Sequence, residues 1–133
     1  MTRQAIAHLR TQHDEMLEAM QRMRLALLSG DVTGALTACD VLQALHAEHI
    51  AAEESDLIPK LGISARWKAK VYLAEHVKLG EMIEEWQRWL VRLPQTVERQ
   101  ERLALLDASL PLQHLLEHHF EREEKGLFVE TVS

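Results

Sequence analysis

The chain has 133 residues, 47% of them apolar, which suits one domain over residues 1–133 with a single core and argues against disorder. Its formal charge is −6 and no Lys/Arg stripe runs through it, so no nucleic acid partner is expected. Five Gly and three Pro are too few for a turn-rich β fold, whereas the abundant Leu, Ala, Glu, Arg and Gln all favour helix. The start, MTRQAIAHLR, is too polar for a signal peptide, and no apolar run approaches the ~18 residues of a membrane span. No membrane partner is therefore expected. Cys39 is the only cysteine, which rules out an intrachain disulfide and fits a reducing cytoplasm.

In chain order, a first helix is predicted from Thr2 to Leu28. Ile6, Leu9, His13, Met16, Met20, Met23 and Leu27 recur along it at spacings of three and four. Ser29-Gly30-Asp31 stops it. A second helix, Thr33–Leu61, carries Cys39, Leu42, His49 and Leu57 inward, with Leu36, Leu45 and Ala52 widening that face; Pro59 and Gly62 mark its end. Ser64 is positioned to cap a third helix, Ala65–Leu93, with the seam Ala69, Tyr72, His76, Leu79, Ile83, Trp86 and Leu90. A fourth, Val97–Leu127, turns Leu105, Leu112, Leu116 and His119 inward. Pro111 predicts a kink or break in it near Ser109-Leu110. No segment reads as a strand. The fold class is all-α, an up-down-up-down antiparallel four-helix bundle.

One histidine stands in each apolar seam: His13, His49, His76 and His119. Counted from one end of the bundle, their depths agree to within about one helical turn at ~1.5 Å per residue. They converge on one layer. Glu53 follows His49 by four residues and Glu123 follows His119 by four, which puts each pair on one helix face. A lone seam histidine is more often a hydrogen-bonded core group, and a lone H-x-x-x-E an intrahelical bond. Four histidines at matched depth with two such glutamates are hard to obtain that way. Buried unpaired carboxylates cost several kcal/mol, and no Lys or Arg occupies the neighbouring seam positions. A metal centre resolves the conflict. Six donors suit two ions if the carboxylates bridge, and mixed imidazole and carboxylate ligation suits iron first, with manganese or zinc as further candidates.

The remaining groups get plainer roles. His8, His46, His114 and His118 fall off the seams and are expected at the surface. Glu54 and Glu124 are expected to be solvated or to back up the ligands. Trp67, Trp86, Trp89, Phe120 and Phe128 are expected to pack, as is the Met16, Met20, Met23 stripe.

At these residues the chain resembles the hemerythrin-like, HHE cation-binding domain family over nearly its whole length. That pattern is a His on helix one, H-x-x-x-E on helix two, His on helix three and H-x-x-x-E on helix four, met here by His13, His49 with Glu53, His76, and His119 with Glu123. The resemblance implies a non-haem di-iron centre, oxo- or hydroxo-bridged, with Glu53 and Glu123 bridging, His13 and His49 on one iron, and His76 and His119 on the other. Oxygen-carrying members have a second histidine a turn away on helix three; here Gly80 and Tyr72 hold the positions four after and four before His76. Gly80 is expected to leave an open position or room for water, and Tyr72 to hydrogen-bond a bound ligand.

The functions implied are reversible binding of O2 or NO, or sensing of iron, oxygen or nitrosative stress. A di-iron redox enzyme that reduces NO or peroxide, or serves iron–sulfur cluster repair, is the alternative. A ferritin-like carboxylate bundle uses E-x-x-H, and no E-x-x-H occurs in this chain.

Overall fold

The computed structural model describes residues 2–132. Thr2 caps α1 (Arg3–Ser29), its hydroxyl accepting the Ala5 N–H at 3.1 Å. The helix ends at Gly30, whose φ of 77° is the left-handed conformation that glycine adopts without a Cβ penalty. Asp31 follows at once and caps α2 (Val32–Asp56) through Gly34 N–H at 2.9 Å. A stop and a start two residues apart force α1 and α2 to run antiparallel. After α2 come a 3-10 turn (Ile58–Lys60) and an irregular connection with a turn and bends, then α3 (Ala69–Arg92). The last leg is α4 (Arg99–Ala108), α5 (Leu110–Arg122), a π-helical turn (Glu123–Leu127) and α6 (Phe128–Thr131).

These make an all-α bundle of four antiparallel legs, with no strand among the described residues. α1 packs on α2, α4 and α5, and α3 packs on α2 and α5, so α1 and α3 are diagonal, as are α2 and the last leg. The break expected at Pro111 falls at Ser109, between α4 and α5. Arg24 on α1 pins it: Nε donates to Ser109 Oγ at 2.9 Å and a terminal nitrogen to Gln113 Oε1 at 2.8 Å.

Two apolar clusters fill the interior. The larger holds Met16, Met20, Met23, Leu42, Leu79, Ile83, Trp86, Leu112 and Leu116; the smaller holds Ile6, Leu9, Leu57, Tyr72, Leu127 and Phe128. Each buried side chain of this size contributes roughly 1.5–3 kcal/mol. Between the clusters lies a polar layer. On α1, His13 separates Leu9 of the smaller cluster from Met16 of the larger, and on α3 His76 likewise separates Tyr72 from Leu79.

Two sequence expectations fail locally. Ser64 does not cap the third helix, which begins at Ala69 after Lys68. Tertiary contacts hold the preceding turn and bends out of the helix: Arg66 N–H donates to Glu130 at 2.9 Å, and the Arg66 and Arg122 guanidiniums stack on the Trp67 ring at 4.4 and 5.1 Å. His46 is not at the surface but 4% exposed. The inner face of α2 is Ala35, Ala38, Cys39, Leu42, His46, His49 and Glu53, rotated away from Leu45.

Candidate metal centre

His13, His49, His76, His119, Glu53 and Glu123 meet in the layer between the clusters, each no more than 2% exposed. His13 comes from α1, His49 and Glu53 from α2, His76 from α3, and His119 from α5. Glu123 opens the π-helical turn, where the Phe128 N–H bonds back to the Glu123 carbonyl across five residues. Such turns occur often at functional sites. His13 is flanked by Phe120, stacked at 4.0 Å, and Phe128 at 5.2 Å.

The four Nε2 atoms point inward. Glu53 sends Oε2 to His49 Nε2 at 3.0 Å and Oε1 to His76 Nε2 at 3.0 Å. Glu123 sends Oε1 to His13 Nε2 at 2.8 Å and to His49 Nε2 at 3.3 Å. Its Oε2 meets His119 Nε2 at 2.9 Å and His76 Nε2 at 3.2 Å. Each carboxylate thus offers one oxygen to the His13/His49 side and the other to the His76/His119 side. Two four-donor sets result, His13-His49-Glu53-Glu123 and Glu53-His76-His119-Glu123, each with its ligand atoms within 4.8 Å of one another.

Several of these contacts are poor hydrogen bonds. Glu53 Oε2 and His119 Nε2 have no hydrogen-bond partner despite their short ion-pair distances, and His13 Nε2 stands 3.1 Å from His49 Nε2. Donors bound at about 2.1 Å to a common ion, at right angles, stand about 3 Å apart. The atoms converge on points between them rather than on one another. On that test the residues fit a pair of metal ions.

The outer ring nitrogens carry a second pattern. Gln12 Oε1 accepts from His49 Nδ1 at 2.8 Å, and Glu54 Oε2 from His76 Nδ1 at 2.8 Å. Glu75 Oε1 accepts from His119 Nδ1 at 3.0 Å, and Glu124 Oε2 from His13 Nδ1 at 2.8 Å. An ionised carboxylate only accepts, so the Nδ1 proton is fixed and the lone pair of the neutral ring lies on Nε2. This is how histidines that ligate metals are held. Each acceptor is the chain neighbour of a donor in the layer: Gln12 of His13, Glu54 of Glu53, Glu75 of His76, Glu124 of Glu123. Each orients a ring on the next leg, so the circuit runs α1 to α2 to α3 to the last leg and back to α1. Arg122 Nε holds Glu75 at 3.0 Å.

Without metal, the layer keeps its charges balanced with protons. Burial would lower the pKa of His49, but hydrogen bonds to Glu123 and Glu53 raise it to about 9. The same opposition takes His76 to about 10. In His119, burial is outweighed by the Glu123 charge, and the result is about 9. Burial and the facing Glu123 charge raise Glu53, whereas Glu123, equally buried, is pulled well below the usual range by His119 and its other partners. Of the two carboxyls, Glu53 is the weaker acid.

His46 lies beside this layer. Its ring meets His76 edge-on at 6.4 Å and its Nε2 is buried with no hydrogen-bond partner. Such an orphan costs about 1–3 kcal/mol. Burial, then the charges of His76, His119 and His49, hold its pKa down to about 4, so the ring is neutral near pH 7. Sequence reasoning missed Gln12, Glu75 and His46; the unbroken spacing Cys39-Leu42-His46-Glu53 through His49 signals the last of these.

A Cβ built at Gly80 would meet one atom within 4 Å, His46 Cε1 at 3.8 Å, an ordinary contact distance. Tyr72 is buried in the smaller cluster with its hydroxyl against Gly126, where a Cβ would lie 2.5 Å from the phenol oxygen. His8, His114 and His118 are exposed, as expected.

Among comparisons with known proteins, residues 1–61 match the family model of the Hemerythrin HHE cation binding domain. No curated protein and no solved structure matches the chain. The matched span covers α1, α2 and the 3-10 turn, and with them His13, His49 and Glu53; His76, His119 and Glu123 lie outside it. The chain therefore matches the Hemerythrin HHE cation binding domain over residues 1–61, and its four antiparallel legs are consistent with a hemerythrin-like bundle.

Proposed function

We propose that the layer holds a non-haem di-iron centre that binds a small diatomic ligand, O2 or NO, either as carrier or as sensor. The observation that carries this reading is the division of each carboxylate, one oxygen toward each histidine pair, with every Nε2 lone pair freed by an acceptor at Nδ1. His13 and His49 would hold one ion and His76 and His119 the other, with Glu53 and Glu123 shared. An iron pair supplies reversible electron transfer and a site for O2 or NO.

The chain's own part is to bind, orient and enclose. Glu124, Gln12, Glu54 and Glu75 hold the Nδ1 protons and fix the four ring planes. The apolar clusters above and below exclude bulk water, and exposures of 0–2% favour a small neutral ligand over a bulky charged one. The lone cysteine, buried as a free thiol, fits the cytoplasmic setting in which we place the protein.

The test is metal content by ICP-MS on protein from iron-supplemented medium, with a His76→Ala, Glu123→Ala double variant beside it. About two irons per chain, lost in the variant, support the reading; no metal in either overturns it. Titration with NO and azide then tests ligand binding, and turnover of NO or peroxide under a reductant would move the assignment to a redox enzyme.

A further inference from the structure

We propose that His46 is an additional metal ligand, supplied from α2 to the ion held by His76 and His119. The inference rests on the di-iron reading and assigns one more residue to that site.

Three observations carry it. His46 Nε2 is buried and has no hydrogen-bond partner, in a layer where each of the four seam histidines has its Nδ1 engaged. A leucine would fill the same core position without an orphaned nitrogen. The ring also stands edge-on to His76 at 6.4 Å, on the His76 side of the centre. Finally, the ring is accommodated by Gly80, one turn beyond His76 on α3. The nearest atom to a Cβ built there is His46 Cε1 at 3.8 Å. Alanine would fit at that position, and a larger side chain directed at the ring would crowd it.

The consequence is an uneven pair: His46, His76 and His119 on one ion, His13 and His49 on the other. A buried imidazole whose Nε2 has no hydrogen-bond partner, beside a metal set, is a donor in waiting, and a shift of the ring toward that set would complete the coordination.

The experiment loads 57Fe into wild type, His46→Leu and Gly80→Leu and records Mössbauer spectra of the diferric state, with azide titrations and melts of the metal-free proteins. Two quadrupole doublets of equal area are expected for wild type. They should converge in His46→Leu and in Gly80→Leu, which displaces the ring without removing it. Azide should bind at least about tenfold more tightly to His46→Leu because a coordination position is freed. Metal-free His46→Leu should melt about 3–5 °C higher, since an orphaned nitrogen is gone. A single wild-type doublet overturns the inference alone, as does a spectrum unchanged in both variants. Weaker azide binding in His46→Leu would instead make the residue a hydrogen-bond partner of the bound ligand, and also overturns it. Wild type that takes up no iron overturns the di-iron reading itself. If one variant fails to fold, the other decides.

Discussion

Glu54 accepts the Nδ1 proton of His76 at 2.8 Å while its chain neighbour Glu53 meets Nε2 of the same ring at 3.0 Å. Two consecutive residues of α2 thus grip both nitrogens of a histidine on α3. Glu54 is itself about two-fifths exposed, so its direct ion-pair energy is small. Its effect is to orient the ring. Glu54→Gln, which can turn an N–H toward the imidazole, should lower metal affinity by about 10- to 100-fold with little change in metal-free stability. Competition with a chelator measures this; affinity within a factor of two of wild type would rule out an orienting role.

The metal-free protein should lose stability as pH rises. The folded-state pKa values of His49, His76 and His119, about 9, 10 and 9, lie above the ordinary value of 6.5. Their contribution is complete below about pH 6.5 and is lost as pH climbs through 9 to 10. Melting temperature should fall by several degrees between about pH 7 and 10. Bound metal takes the place of those protons, so the loaded protein should show a flatter profile and release protons on loading. Calorimetry in two buffers of different ionisation enthalpy would detect that release.

Gly126→Ala places a Cβ 2.5 Å from the Tyr72 hydroxyl and 2.7 Å from the Trp67 ring. Both are rigid aromatic groups, and overpacking of this kind costs about 1–3 kcal/mol. Chemical denaturation should show that loss. An Ala variant as stable as wild type would mean that Trp67 swings away freely.

Arg24→Ala removes both hydrogen bonds that fasten the break at Ser109 to α1. The expected cost is about 1–3 kcal/mol, since bonds to a charged donor are among the stronger ones. Iron stoichiometry should stay the same because the donors that the last leg supplies, His119 and Glu123, lie beyond the break and the other four lie on other legs. Loss of metal together with stability would show that the break positions the site.

The three-and-four spacing of His13, Met16, Met20 and Met23 on α1, and of Tyr72, His76, Leu79 and Ile83 on α3, made those inner faces legible in the sequence, because a seam that stays buried must repeat with the helix. Pro111 announced the break for an equally local reason. α2 was harder. Leu45 and His46 both fit between Leu42 and His49, and hydropathy favours the leucine, yet the folded helix buries His46. Gln12 and Glu75 were hidden differently. Their partners lie on other legs, and nothing in a single helix says which ring a polar side chain will reach. Ser64 failed because a capping preference worth about 1 kcal/mol is outweighed by the cation-π and hydrogen bonds around Trp67 and Arg66.

The ring of acceptors closes with Glu124 on His13, a contact between residues 111 positions apart. The α1–α2 hairpin can form early, since its parts are close in the chain, but it contains only His13, His49 and Glu53 of the six donors. Glu123 arrives with the last leg, and both four-donor sets require it. A half-folded chain therefore offers neither four-donor set complete, and on the proposed reading metal capture would be a late step that reports the docking of the last leg.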